Sequence, residues 1–151
     1  MKTLVVYDSV HGNTERIAQV IGEAIAKEVE VAVIRANEVN TEQLKDIKLI
    51  IIGSPTHGGW FTEVVKDFLN NKMKPLKQNI AIAVFDTRTP PILMSKVFGF
   101  AANKMRKVLN KQGREIIIEP EGFLVHGLKG PLLEGEEERA KKWAVRIIKD
   151  L

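Results

Sequence analysis

Tyr7-Asp8-Ser9-Val10-His11-Gly12-Asn13-Thr14-Glu15 joins a short apolar run, Thr3–Tyr7, to a segment in which Ile17, Ile21 and Ile25 recur one helical turn apart. The stretch reads as strand, turn and helix. A hydroxyl-rich turn containing glycine leaves the first N–H groups of the helix unpaired and pointing one way, which makes a ready-made anion site. Neither lysine nor arginine stands in the stretch, so N–H and O–H donors would hold the anion. The spacing is neither a Walker A loop, which ends in Gly-Lys-[Ser/Thr], nor the dinucleotide pattern Gly-x-Gly-x-x-Gly.

Outward from this turn, strands and helices alternate to the end of the chain, the mark of a parallel sheet covered on both faces. The first helix is expected over Thr14–Lys27 and the second strand over Val31–Arg35. After a short helical turn at Glu42–Asp46 comes Leu49-Ile50-Ile51-Ile52, whose unbroken branched apolar residues suit a strand buried on both faces. Thr62–Asn71 places Val64, Val65, Phe68 and Leu69 on one helical face. Ile80–Phe85 is the fourth strand, Asp86–Pro91 a polar link, and Met94–Lys111 a helix that Gly113 stops. The fifth strand is expected to begin at Glu115–Ile118 and to be split by Pro120 and Gly122 before Phe123-Leu124-Val125. Glu134–Asp150 closes the chain as a helix with acids first and bases last.

The 151 residues fit one domain, 1–151. There is no cysteine, so disulfides, thiolate catalysis and iron–sulfur ligation are excluded. No apolar run is long enough to span a bilayer, and no leader precedes the first strand, so a cytoplasmic protein without membrane insertion is expected. The net charge of +4 suits an ordinary lysine-rich surface or attraction to an acidic partner. Its lysines and arginines are dispersed among acids and apolar residues, with no basic strip carrying aromatics, so nucleic acid is not an expected partner.

In an open parallel sheet, ligands collect beyond the carboxyl ends of the strands, where strand order reverses. Three segments converge there: Ser9–Thr14, Ser54–Trp60 and Asp86–Pro91. In the first, Ser9 and Thr14 supply hydroxyls, while Gly12 and Asn13 allow a tight backbone nest; His11 could add a charged donor or face solvent, and Thr14 with Asn13 could instead cap the helix. In the second, Pro55, Thr56, His57, Gly58 and Gly59 can lie flat against a planar ligand, and Trp60 offers either a stacking surface or packing beside Phe61. His57 has no partner at metal-ligand spacing, so no metal is expected. In the third, Asp86, Thr87, Arg88 and Thr89 form a polar rim able to meet the edge of a ring or to make turn hydrogen bonds. No Ser-His-Asp arrangement emerges, and no catalytic residue is assigned.

Ser9-Val10-His11-Gly12-Asn13-Thr14 matches [Ser/Thr]-x-x-Gly-Asn-Thr, and with it the whole chain resembles short-chain flavodoxins and the flavodoxin module of flavo-diiron proteins. Gly53-Ser54-Pro55-Thr56 is also similar to the matching segment of WrbA-type quinone reductases. The resemblance implies a doubly wound α/β fold with a five-stranded parallel sheet in the order 2-1-3-4-5. It also implies noncovalent FMN, with its phosphate at Ser9–Thr14 and its ring beside Thr56–Trp60 and Asp86–Thr89. The function implied is electron transfer between redox protein partners by a monomer or weak homodimer. An FMN-dependent NAD(P)H or quinone reductase, or a flavin-free interaction domain, are the alternatives. Two departures stand out: the chain is basic where flavodoxins are acidic, and Asp86–Pro91 lacks the aromatic usual after strand four.

Overall fold

The structure, a computed structural model, describes residues 1–90 and 99–151. Its elements are β1 (Lys2–Tyr7), α1 (Asn13–Ile25), β2 (Glu30–Arg35), β3 (Ile47–Pro55), α2 (Glu63–Asp67), β4 (Ala81–Arg88), α3 (Ala101–Lys111), β5 (Glu121–Leu124) and α4 (Glu136–Lys149). The sheet runs β2-β1-β3-β4-β5 with every neighbouring pair parallel. This is the doubly wound order that the resemblance implies.

Alternation along each strand assigns side chains to the two faces. Val6, Ile50, Ile52 and Val84 pack with Phe68, Leu69, Met105 and Leu109 of the α2 and α3 side. Val5, Ile51, Ala83 and Phe85 pack with Ile17, Ile21, Trp143 and Ile147 of α1 and α4. Each of the larger aliphatic and phenylalanine side chains among these contributes about 1.5–3 kcal/mol against exposure. On this second face Phe85, Phe123 and Trp143 meet edge to face, with centroids 6.0–6.1 Å apart. A Cβ on Gly53 would stand 2.1 Å from the Phe85 ring, so the ring needs glycine beneath it.

Several boundaries differ from expectation. The fourth strand does not end at Phe85: Asp86, Thr87 and Arg88 belong to β4, because β5 pairs with Phe85–Arg88. Glu115–Ile118 does not start the fifth strand; its Ile117 N–H donates to Ile82 O of β4 without forming a strand ladder, and β5 begins after Pro120, which has no N–H to donate. Val125 then bridges Leu132 in an antiparallel edge contact. The segment at Glu42–Asp46 is a run of turns closed by i+3 bonds from Leu44 and Lys45. Thr62 is the N-cap of α2 rather than its first turn, and the last expected turn is a π turn, Phe68–Lys72. The expected helix start at Met94 lies outside the described residues.

The order 2-1-3 sends the chain one way after β1 and the other way after β3. The loops leaving these two strands therefore part and open a crevice at the carboxyl edge.

Candidate functional site

The crevice begins at the start of α1. Gly12, its N-cap, has φ 90°, a left-handed conformation that strains any residue with a Cβ. No side chain caps this N-terminus, so Thr14 and Asn13 do not act as caps. The Thr14 side chain instead crosses to β4, its hydroxyl 2.7 Å from that of Thr87. Only one proton can lie between two hydroxyl oxygens, so the pair retains one O–H to donate elsewhere. Ser9 Oγ accepts from the Gly12 N–H at 3.1 Å, which leaves the Ser9 O–H as a further donor. The Asn13 amide reaches the Lys129 carbonyl at 3.1 Å, tethering the loop after β5 to the same helix start. A Cβ on Gly130 would stand 2.5 Å from that amide, so glycine permits the tether.

Asp8 is buried and turned toward β2, where Arg35 Nη1 lies 3.4 Å from its carboxylate. Glu15, in the first turn of α1, meets Arg35 Nη2 at 3.0 Å. Both acids beside the turn are thus engaged by one guanidinium.

β3 runs through Pro55 and delivers the second segment. The Thr56 N–H donates to the Thr87 carbonyl at 2.9 Å, and its hydroxyl accepts from the Ala101 N–H at 3.0 Å. His57 and Trp60 exchange backbone hydrogen bonds of 2.9 and 3.0 Å around Gly58 and Gly59. Both glycines have positive φ, 56° and 82°, as a mirror-image tight turn requires. Trp60 lies outside the crevice wall and is 54% exposed. It packs edge-on to Phe61 at 5.8 Å, with Lys104 Nζ 4.1 Å from its ring centroid.

On β4, successive side chains take opposite faces. Thr87 turns to α1 and meets Thr14. Asp86 turns to α3 and is fully buried, accepting from the Ala102 N–H at 2.9 Å and from Arg88 Nε and Nη2, each at 2.7 Å. Burial pushes the Asp86 carboxyl above its usual range, while Arg88, the Ala102 N–H and Thr56 pull against that shift. Arg88 lies in turn over the Phe100 ring, 3.7 Å from its centroid. A Cβ on Gly122 would stand 2.2 Å from its guanidinium carbon, so glycine on β5 makes room for it. Asp86 therefore anchors the wall residue Arg88 instead of lining the crevice itself.

The crevice has a volume of about 450 Å³. It brings together Ser9, Val10, His11, Asn13 and Thr14 with Pro55, Thr56, His57, Gly58 and Gly59, and with Thr87, Arg88 and Thr89. Of the expected residues, Gly12, Trp60 and Asp86 stand behind or beside the wall. Sequence reasoning missed Gly99 and Phe100 before α3, and Val125, Gly127 and Leu128 after β5. His126-Gly127-Leu128-Lys129-Gly130 carried the same signal as the other loops, an apolar residue between glycines beyond a strand's carboxyl end. Phe100 is an aromatic at the crevice wall, where Asp86–Pro91 has none. Among the described residues, no cluster of His, Asp and Glu is placed to hold a metal ion.

The family model for a flavodoxin domain matches residues 4–116. No curated protein matches the chain. Among solved structures, a flavodoxin from the domain Archaea superposes with a TM-score of 0.81 at 24% identity, covering 99% of this chain and 97% of its own. Oxidised flavodoxin 1 from Bacillus cereus gives 0.80 at 22% identity, covering 100% and 99%. Rubredoxin:oxygen oxidoreductase from Desulfovibrio gigas gives 0.76 at 21% identity, with 98% of this chain matching 35% of that one. The structural likenesses speak for the fold, and the family match takes in most of the sheet with the β1–α1 turn; the chain belongs to the flavodoxin domain family, whose members bind FMN.

Proposed function

We propose that residues 1–151 form one flavodoxin-like domain that holds FMN in the carboxyl-edge crevice and carries electrons between redox proteins. One observation carries this reading: the uncapped N-terminus of α1 opens beside the Ser9 and Thr14–Thr87 hydroxyls at the crevice wall. That donor set suits a phosphate, because N–H and O–H groups give hydrogen bonds to anionic oxygens. The Gly58–Gly59 turn and the Pro55, Phe100 and Leu128 walls suit a flat ring. Val10, His11 and Asn13 would complete the phosphate pocket, Thr56 and His57 would flank the ring beside the glycine turn, and Arg88 and Thr89 would meet its edge. Bound FMN would supply the electron acceptance and release; the chain's own residues bind it, orient it and limit water around it.

Val10, Trp60 and Leu128 are exposed about the crevice mouth, and Lys104 and Lys129 stand close by. With the +4 charge, this rim suits an acidic redox protein. No helix among the described residues is long and apolar enough to cross a membrane.

The test starts with the visible spectrum of the purified protein and identification of any released flavin. Titration of the flavin-free chain with FMN and riboflavin should then show tighter binding of FMN. Thr14→Ala should cost FMN about 1.5–3 kcal/mol, the worth of a hydrogen bond to a charged group, and cost riboflavin less. Equal losses would remove Thr14 from the phosphate site. Reduction only through a separate reductase marks a carrier, whereas steady NAD(P)H turnover by the isolated chain marks an enzyme.

A further inference from the structure

Arg35 ends β2, the edge strand beside β1, and none of its side chain reaches the crevice wall. Its guanidinium nevertheless touches the β1–α1 turn at three points. Nη1 donates to the Ser9 carbonyl at 3.0 Å and lies 3.4 Å from Asp8 Oδ1, and Nη2 lies 3.0 Å from Glu15 Oε2. The Tyr7 ring stands 5.2 Å from the same guanidinium. These contacts are semi-enclosed: the Arg35 side chain is 29% exposed and that of Asp8 12%, so solvent screens them less than a surface pair.

We infer that Arg35 is a positioning residue for the anion-binding turn, holding the Ser9 carbonyl on the β2 side and cancelling the negative field of Asp8 and Glu15. The inference rests on the reading that the turn binds the phosphate of FMN. Two physical arguments support it. A peptide carbonyl turned into the crevice would present a lone pair to an anion, and the Arg35 bond to Ser9 O keeps it turned out, with the next N–H groups available. Asp8 and Glu15 flank the turn in sequence, and as uncompensated charges they would repel a phosphate dianion across a half-buried, weakly screened gap. A guanidinium suits this task better than an ammonium, because its planar fork reaches a carbonyl and two carboxylates from one fixed plane.

The test compares FMN and riboflavin binding to the flavin-free full chain in the wild type, R35M, R35K and the double variant D8N/E15Q. The wild type should bind FMN more tightly than riboflavin. R35M should weaken FMN about tenfold or more while riboflavin stays within about threefold, and added salt should shrink the FMN loss. D8N/E15Q should bind FMN more tightly than the wild type, because Arg35 is then a free positive charge near the phosphate. R35K should lie between the wild type and R35M. A simple structural brace predicts no gain for D8N/E15Q, since the amide oxygens still accept from Arg35 but more weakly than the carboxylates. The inference is overturned if D8N/E15Q does not tighten FMN binding, or if R35M weakens both ligands alike. If R35M does not fold, R35K and D8N/E15Q decide by the same criteria. A wild type that binds the two ligands equally overturns the phosphate reading itself, and this inference with it.

Discussion

The helices α1 and α4 lie side by side on one face of the sheet and start almost identically. Gly12 precedes α1 with φ 90° and ψ −7°, and Gly135 precedes α4 with φ 87° and ψ −10°; neither N-terminus has a side-chain cap. Both present the partial positive charge of a helix start, about half an elementary charge. Their first turns differ. That of α4 holds Glu136, Glu137 and Glu138. Glu136 is buried, accepts from the Leu124 N–H at 2.7 Å and pairs with Arg139. The first turn of α1 holds only Glu15, and Arg35 draws it aside. One helix start is supplied with its own carboxylates and locks the edge strand β5; the other is left open to a crevice. Backbone geometry alone does not make an anion site. The anion site proposed at α1 depends on the chain also withholding internal acid from that turn.

Breaking the α4 side should have the largest effect. Glu136→Ala strands the Leu124 N–H and leaves Arg139 with Glu121 and the Gly122 carbonyl as its remaining acceptors among the described residues, and should cost about 3 kcal/mol of unfolding free energy in urea denaturation. FMN affinity of the folded variant should change by less than about twofold, because the lost contacts lie outside the crevice. A large loss of FMN affinity in a fully folded Glu136→Ala chain would show that the two helix starts are not separate in function.

The same carboxylate gives a pH dependence. Burial alone would raise the Glu136 carboxyl, but the Arg139 hydrogen bonds, the Leu124 N–H and the Arg139 charge outweigh it and set the group below its ordinary value of 4.5. A lowered carboxyl contributes stability that is fully present above the unfolded-state value and is lost as pH falls through the folded one. The stability gap between wild type and Glu136→Gln should therefore hold steady at neutral pH and narrow in acid below 4.5. A gap that widens in acid would reverse the assignment.

A smaller effect separates the paired glycines. An added Cβ meets nothing within 4 Å at Gly12 or at Gly135, so alanine at either position costs only backbone strain. About 1–2 kcal/mol is expected for each, read from thermal or urea unfolding. Only Gly12→Ala should also reduce the preference for FMN over riboflavin; equal binding by the two variants would mean that the Gly12 turn does not shape the site.

The smallest effect is expected where the two helices touch through charge. Arg16 and Glu137 form a salt bridge between their first turns, with both side chains about half exposed. Arg16→Met should cost no more than about 1 kcal/mol at low salt and less as salt is added. A larger, salt-independent loss would mean that this pair holds α1 against α4.

The alternation of strands and helices, the buried Leu49–Ile52 strand and the hydroxyl-rich turn at Ser9–Thr14 were legible in the residues because each depends on neighbours a few positions away. Periodicity, branching at Cβ and the need for glycine at positive φ are local properties, and they place loops at the carboxyl edge without knowledge of packing. The destinations of individual side chains were not local. Whether Thr14 caps its helix or reaches Thr87 depends on β4 lying beside α1, and that strand arrives 73 residues later. Asp86, Thr87 and Arg88 read as a link because their polarity resembles a turn, but pairing with β5 keeps them in a strand, where alternation turns Thr87 to α1 and sets Asp86 and Arg88 together on the α3 side. Trp60 could stack or pack, and Phe61 with Lys104 took it outside the wall. The β5 loop and Phe100 joined the site only once the sheet had brought its last strand and α3 to the same edge. Short-range chemistry sets which segments can turn, bind or pair; long-range contacts select among those options, because burying a polar side chain requires a partner that only the assembled sheet supplies.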